Sequence, residues 1–415
     1  MKDVTRFTLP NGLRVAHHYN RGAAMGMVDV LYDVGSRDEH PDRTGMAHLF
    51  EHLMFGGSVN IADFDGELQK AGGMSNAWTS QDFTNFYDIV PSRNIETALW
   101  LESDRMLSLS FSDKALEVQR SVVVEEFKQA CLNRPYGDME HHLKGLCYKV
   151  HPYRYPVIGK EFSHIEGVSQ DDVRAWFAAH YAPDNAVLAA SCDVEPERFR
   201  QMVERWFGDI PSRNIPARSL PAEPLPEGPR LKEVSGDVPQ TWLTMAYPMA
   251  RYGVPAYFAA DLVSDVLSNG RSSRFYRALL APGKHFSDLD CCISGSEDAG
   301  LMLVSARLLG NGPEAEREAQ EAIDGEINRL IEGGVGESEL RRCLNRLESS
   351  RTFDMLGLMN RVQGLALAEY HGEDPSTSFE ENYLPVSAED VRRTAAEIFD
   401  PSRAMTLVYR PTKPA

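Results

Sequence analysis

The sequence predicts an α+β fold made of two duplicated domains, each an antiparallel β-sheet covered by helices. Three observations carry this expectation. A chain of 415 residues is longer than one ordinary domain of roughly 100–200 residues. A proline-rich run from Pro211 to Pro229 interrupts the sequence near its middle, and such a run forms neither a helix nor a central strand. The segment from Ser169 to Ala186 recurs from Ser387 to Ala404. Each copy reads as a Ser N-cap, an amphipathic helix, a proline turn and an apolar β-type run. The expected division is a first domain over residues 1–210, a linker over 211–229 and a duplicated second domain over 230–415.

The elements follow in order. Asn11-Gly12 after Phe7-Thr8-Leu9 marks a turn, and strand-like material fills residues 9–18 and 24–36. The second half opens likewise on residues 241–249. Helical stretches come after the strands in both halves. Ile323, Ile327, Leu330 and Ile331 share one helix face, and Gly333-Gly334 ends it. Strands grouped apart from helices give antiparallel sheets with helical cover rather than an alternating α/β order.

Composition limits the function. Hydrophobic residues make up 42% and charged residues 25%, the usage of a chain able to bury sizeable cores. A net charge of −18, with no basic cluster, argues against nucleic acid and anionic lipid as partners and leaves peptides or small molecules. No apolar run reaches the ~18 residues of a membrane span, and the first residues carry no apolar signal core. The six cysteines show no CxxC spacing, and two are adjacent. That usage suits free thiols in a reducing compartment, so the cytoplasm is expected, with the periplasm after removal of a leader as the alternative.

The chemistry is concentrated in His48-Leu49-Phe50-Glu51-His52. Thr44 or Asp42 is a candidate N-cap and Gly56-Gly57 a stop, which predicts a helix over His48 to Phe55. Side chains at i and i+4 share a face, so His48 and His52 can converge on one Zn²⁺, with Glu51 beside them as a carboxylate able to deprotonate water. Two ordinary helix histidines are the plain alternative, but the joint pattern is rare by chance in a chain with 12 His.

This pentad is the inverted zincin motif, and the chain resembles the pitrilysin-type, mitochondrial-processing-peptidase-like zinc peptidases (family M16). The resemblance also rests on Gly35-Ser36-Arg37-Asp38-Glu39, on Gly72 through Ser80, on His151-Pro152-Tyr153 with Ile158-Gly159, on Tyr181 through Asn185, and on Ser273-Arg274-Phe275-Tyr276. It implies the LuxS/MPP-like metallohydrolase fold, one zinc per chain, and metal-assisted peptide hydrolysis with Glu51 as general base. A catalytic zinc needs a third protein ligand. Glu125 and Glu126 both lie in the window where the family takes it, and the match of residues 120–129 to the family pattern puts it at Glu126, 74 residues after His52.

The family usually has a glutamate seven residues before this ligand, where Gln119 stands here. Gln119 can hydrogen-bond a ligand but supplies no charge. Asn76-Ala77-Trp78 resembles the family's substrate edge strand, whose backbone pairs with an extended peptide. The zinc-helix pattern recurs over residues 261–270 without its histidines. Active single-chain relatives take an Arg and a Tyr from the second half as oxyanion donors; here those positions fall on Leu280 and on Phe286 or Ser287. The resemblance therefore implies a homologous partner subunit that supplies the missing pair, or a self-dimer, enclosing a chamber suited to unfolded peptides or short polypeptides. The competing expectation is a weak or inactive assembly subunit of the same family.

Overall fold

The computed structural model describes residues 3–110 and 112–412. The strands are β1 (Val4–Thr8), β2 (Arg14–Tyr19), β3 (Met25–Tyr32), β4 (Met74–Thr79), β5 (Thr84–Pro91), β6 (Ala186–Cys192), β7 (Arg230–Gly236), β8 (Trp242–Pro248), β9 (Phe286–Ser294), β10 (Leu301–Leu308) and β11 (Met405–Pro411). In the first half the helices are α1 (Met46–Leu53), α2 (Phe64–Lys70), α3 (Ile95–Leu107), α4 (Asp113–Phe127), α5 (Met139–Cys147), α6 (Phe162–Glu166), α7 (Gln170–His180) and α8 (Pro196–Phe207). In the second they are α9 (Pro255–Ser268), α10 (Pro313–Gly333), α11 (Glu337–Asp354), α12 (Leu358–His371), α13 (Ser378–Asn382) and α14 (Ala388–Ile398).

The fold is α+β, with two sheets covered by helices. One sheet has the order β1-β2-β6-β3-β5-β4 and the other β7-β11-β8-β10-β9. The sheets are mixed rather than purely antiparallel as the sequence led us to expect: β2 pairs parallel with β6 and β7 parallel with β11. The cause is the repeated segment itself. Each copy is a helix, α7 or α14, feeding a strand that inserts between two earlier strands, and a parallel pairing needs such a long crossover connection. Both helices open on the same capping box, Ser169 with Asp172 and Ser387 with Asp390.

Two compact units are present, and neither is one continuous stretch. One contains residues 1–127, 155–220 and 351–378; the other contains residues 128–154, 221–350 and 379–415. Within the first, α1, α3, α7 and α8 bury one sheet face in a core that includes Phe50, Phe86, Leu99, Phe177 and Phe199. The opposite face, with Ala16, Met27, Leu31 and Val187, is covered by Val362, Leu365 and Ala366 of α12. Within the second unit α9, α10 and α14 cover one face. Leu146 and Cys147 of α5 cover the other, against Ala246, Leu301 and Leu407. Each unit thus takes one covering helix from the other half of the sequence.

Residues 211–229 contain no helix or strand. Five cysteines are buried and Cys292 is exposed, and none is in a disulfide. No helix among the described residues is long and apolar enough to cross a membrane.

Candidate metal centre and active site

The local sequence around residue 48 builds α1 two residues earlier than expected, from Met46 to Leu53, with Leu49, Phe50 and Leu53 buried. Neither Thr44 nor Asp42 caps it. The N-cap is Gly45, at φ 88°, with no side-chain cap of its own. Glu39 does the work from outside the helix: its two carboxylate oxygens accept the Gly45 and Ala47 N–H groups, both at 2.8 Å. A carboxylate at this end also meets the positive pole of the helix. Burial pushes the Glu39 carboxyl up to about 8, against the pull of these backbone N–H groups.

With its apolar face buried, α1 turns His48 and His52 toward α4. Their rings lie 4.9 Å apart at 87°. Glu126 Oε2 is 3.9 Å from His48 Nε2 and 3.6 Å from His52 Nε2. One ligand atom from each of the three residues lies within 4.8 Å of the others, and this is the one such metal-capable group of His, Cys, Asp or Glu among the described residues. Glu125 is exposed on α4 and is not part of the group. Two imidazoles and a carboxylate are the donor set of a catalytic zinc with an open position, so the residues present fit the metal. Burial, then the neighbouring His52, holds the His48 pKa down, with Glu126 opposing; the neutral imidazole is the form that ligates. His48 Nδ1 is buried without a hydrogen-bond partner.

Gln119 stands two turns before Glu126 on α4, and its Oε1 lies 3.3 Å from His52 Nδ1. An Nδ1–H donated to that oxygen leaves the Nε2 lone pair directed at Glu126 and the metal position. Glu51 shares α1 with both histidines. The Thr79 hydroxyl donates to Glu51 Oε2 at 2.5 Å. Burial raises the Glu51 carboxyl above the usual range and Glu126 adds to this, while Thr79 and His52 oppose it.

Asn76, Ala77 and Trp78 lie on β4, which pairs with β5 and forms the end of its sheet. Asn76 is exposed, with Oδ1 accepting the Ala77 N–H at 2.9 Å. Ala77 packs on the core beside α1 and Trp78 on the opposite core. The strand that carries these residues therefore ends on the threonine that holds Glu51.

Thr79 and Glu39 are the site residues that sequence reasoning missed. Thr79 was legible from strand alternation, which puts it on the face of Ala77. Glu39 had a weaker signal, an acid ahead of a helix whose own N-cap offers no side chain.

In the second unit, α9 repeats α1. Leu262, Val263, Val266 and Leu267 are buried in the places of Leu49, Phe50, Leu53 and Met54, and Gly270, at φ 83°, matches Gly57, at φ 86°. His48 and His52 correspond to Asp261 and Asp265. Asp261 Oδ2 accepts the Tyr383 hydroxyl at 2.6 Å, so a structural hydrogen bond stands where the metal ligand would be. Leu280 packs against the α9 core, and Phe286 is buried there.

Comparison with known proteins matches two profiles of one family. The family profile for insulinase (peptidase family M16) matches residues 14–160, and that for the peptidase M16 inactive domain matches residues 167–347. The chain is 27% identical to the zinc protease PqqE of Helicobacter pylori, over 97% of this chain and 92% of that protein. It is 25% identical to a probable mitochondrial-processing peptidase subunit beta of Arabidopsis thaliana, over 97% and 77% of the two chains. Among solved structures, a protease from Helicobacter pylori superposes with a TM-score of 0.91 at 25% identity, over 99% of this chain and 100% of that one. A Pseudomonas fluorescens structure described as a peptidase M16 inactive domain superposes with a TM-score of 0.88 at 16% identity, over 99% and 98%.

Proposed function

The chain belongs to peptidase family M16, and on that premise we propose that it is a zinc-dependent endopeptidase for unfolded peptides or short polypeptides. The observation that carries this is the convergence of His48, His52 and Glu126 within 4.8 Å, with Glu51 on the same helix turn. These three residues would hold one zinc. Bound there, the metal supplies Lewis acidity, which acidifies water toward neutral pH and polarises a scissile carbonyl.

The remaining steps belong to the chain's own side chains. Thr79 occupies Glu51 Oε2, which leaves Oε1 to take a proton from the attacking water and return it to the leaving amide nitrogen. Gln119 sets the tautomer of His52 through its Oε1. The unpaired side of β4 accepts an extended peptide by backbone hydrogen bonds, which gives affinity with little sequence preference. Asn76, Ala77 and Trp78 are the residues beside that peptide.

The working enzyme in this proposal includes a homologous partner subunit, which supplies the Arg/Tyr pair replaced here by Leu280 and by Phe286 or Ser287; a second copy of this chain is the other arrangement. A relative named as a subunit beta supports pairing. Free thiols support a cytoplasmic location. The second reading, a weak or inactive assembly subunit, is favoured by Gln119 and Leu280.

The test is cleavage of a quenched-fluorescent peptide library by the purified chain with zinc, with a chelator, and as Glu51→Gln. Activity that the chelator and Glu51→Gln both abolish supports the peptidase and removes the need for a partner. A zinc-binding chain that is silent alone and active with a homologous subunit supports the pair. Silence in both settings leaves the assembly reading.

A further inference from the structure

A second concave site lies wholly within the unit that lacks the metal ligands. It is a cavity of about 400 Å³ between α10 and the β7-β11-β8 part of the sheet. Asp324 lines it from α10, with Gln320 and Asn328 one turn to either side on the same helix face. The floor is formed by the Tyr247 and Phe399 rings, 5.1 Å apart and edge to face at 80°, with Ile327 and Thr406 beside them.

Three of its polar side chains make no hydrogen bond among the described residues. Tyr247 is 3% exposed and Thr406 8% exposed, yet neither hydroxyl has a hydrogen-bond partner among the described residues. Both hydroxyl oxygens open on the cavity rather than into the core, where they are free to accept from a ligand. The Asp324 carboxylate has neither a cation nor a donor among the described residues, and burial alone raises its pKa. Arg230 also borders the cavity, but its guanidinium is engaged by the Leu146 and Cys147 carbonyl oxygens. A half-buried carboxylate with no cation paired to it, beside aromatic rings, is the complement of an organic cation.

We propose that this cavity binds a small primary amine with an apolar tail, its ammonium held by Asp324 and the Tyr247 and Thr406 hydroxyl oxygens and its tail on the Tyr247 and Phe399 rings. A primary ammonium offers three donors, matching these three acceptors. An aromatic tail of one ring fits a cavity of this volume. The site is independent of the metal centre and of the proposed peptidase activity.

The experiment is calorimetric titration of the full chain, at about pH 8, below the pKa of an alkylammonium, with 2-phenylethylammonium and with its neutral analogue 2-phenylethanol. Saturable binding of the amine, at least about tenfold tighter than the alcohol and weakened about tenfold or more by Asp324→Asn, is expected. Thr406→Val is expected to weaken the amine by a smaller factor, and it provides the test should Asp324→Asn fail to fold. Equal binding of amine and alcohol, unchanged binding to both variants, or no saturation up to ~20 mM amine overturns the proposal.

Discussion

Replacing Thr79 by valine removes one hydroxyl and keeps the shape of the side chain, so it isolates the 2.5 Å hydrogen bond that fixes Glu51. A hydrogen bond to a charged group contributes about 1.5–3 kcal/mol. Thr79 is half-buried rather than sealed from water, so the lower part of that range applies, about 1.5–2 kcal/mol. If the bond holds the carboxylate where the water's proton must be taken, that energy is lost from the transition state, and kcat falls about 10–30-fold. The β4 backbone that would receive the peptide is untouched, so KM stays within about twofold. The assay is steady-state cleavage of a fluorescent peptide under the conditions that give wild-type activity, with zinc content measured in the same samples. Thr79→Ser restores the donor and is expected to restore most of kcat. A kcat within about twofold of wild type, or a loss confined to KM, would refute the argument.

Other outcomes follow from the same geometry. Gln119→Ala frees the His52 ring and is expected to weaken zinc binding or activity about 10–100-fold, measured by competition with a chelating dye; unchanged affinity would remove Gln119 from the site. Glu39→Ala takes two acceptors from the N-terminus of α1 and should cost about 1–3 kcal/mol in thermal or urea unfolding, with a weaker zinc site as well. Asp29 is fully buried on β3, and burial pushes its carboxyl up to about 8 from an ordinary value of 3.8. The folded state therefore holds this proton more tightly than the unfolded chain. The stability it contributes is complete below about pH 4 and is lost as pH rises through about 8, with a slope of at most ~1.4 kcal/mol per pH unit. Asp29→Asn should flatten the urea-unfolding profile across that window, and an unaltered slope would count against the assignment.

Much of this fold is legible in the chain because its signals are local. The Ser-x-x-Asp caps announce α7 and α14, and the Asn11-Gly12 turn separates β1 from β2. The residues at 48, 51 and 52 fall on one helix because i, i+3 and i+4 share a face. What escapes local reading is what arrives from a distance. The parallel pairs depend on where β6 and β11 insert, which no window of sequence records. Glu39 caps α1 across an intervening turn, so the side chains next to the helix, Thr44 and Asp42, draw the expectation to themselves. Thr79 was visible as part of a motif, but its partner Glu51 lies on another element, and only packing of β4 beside α1 makes the hydrogen bond.

The borrowed covering helices also bear on the order of synthesis. The ribosome completes β1 to β6 long before it reaches α12, and until then Ala16, Met27, Leu31 and Val187 lack the apolar cover that Val362, Leu365 and Ala366 give them. A domain made first ordinarily folds first; this one has to wait for residue 378. Conversely α5 leaves the ribosome before any strand of its own sheet exists. Release of a chain truncated at the proline-rich run would therefore yield a half with one bare sheet face, prone to aggregate, rather than a small zinc-binding domain. The candidate metal site is encoded within the first 126 residues, but the unit that carries it is complete only at residue 378.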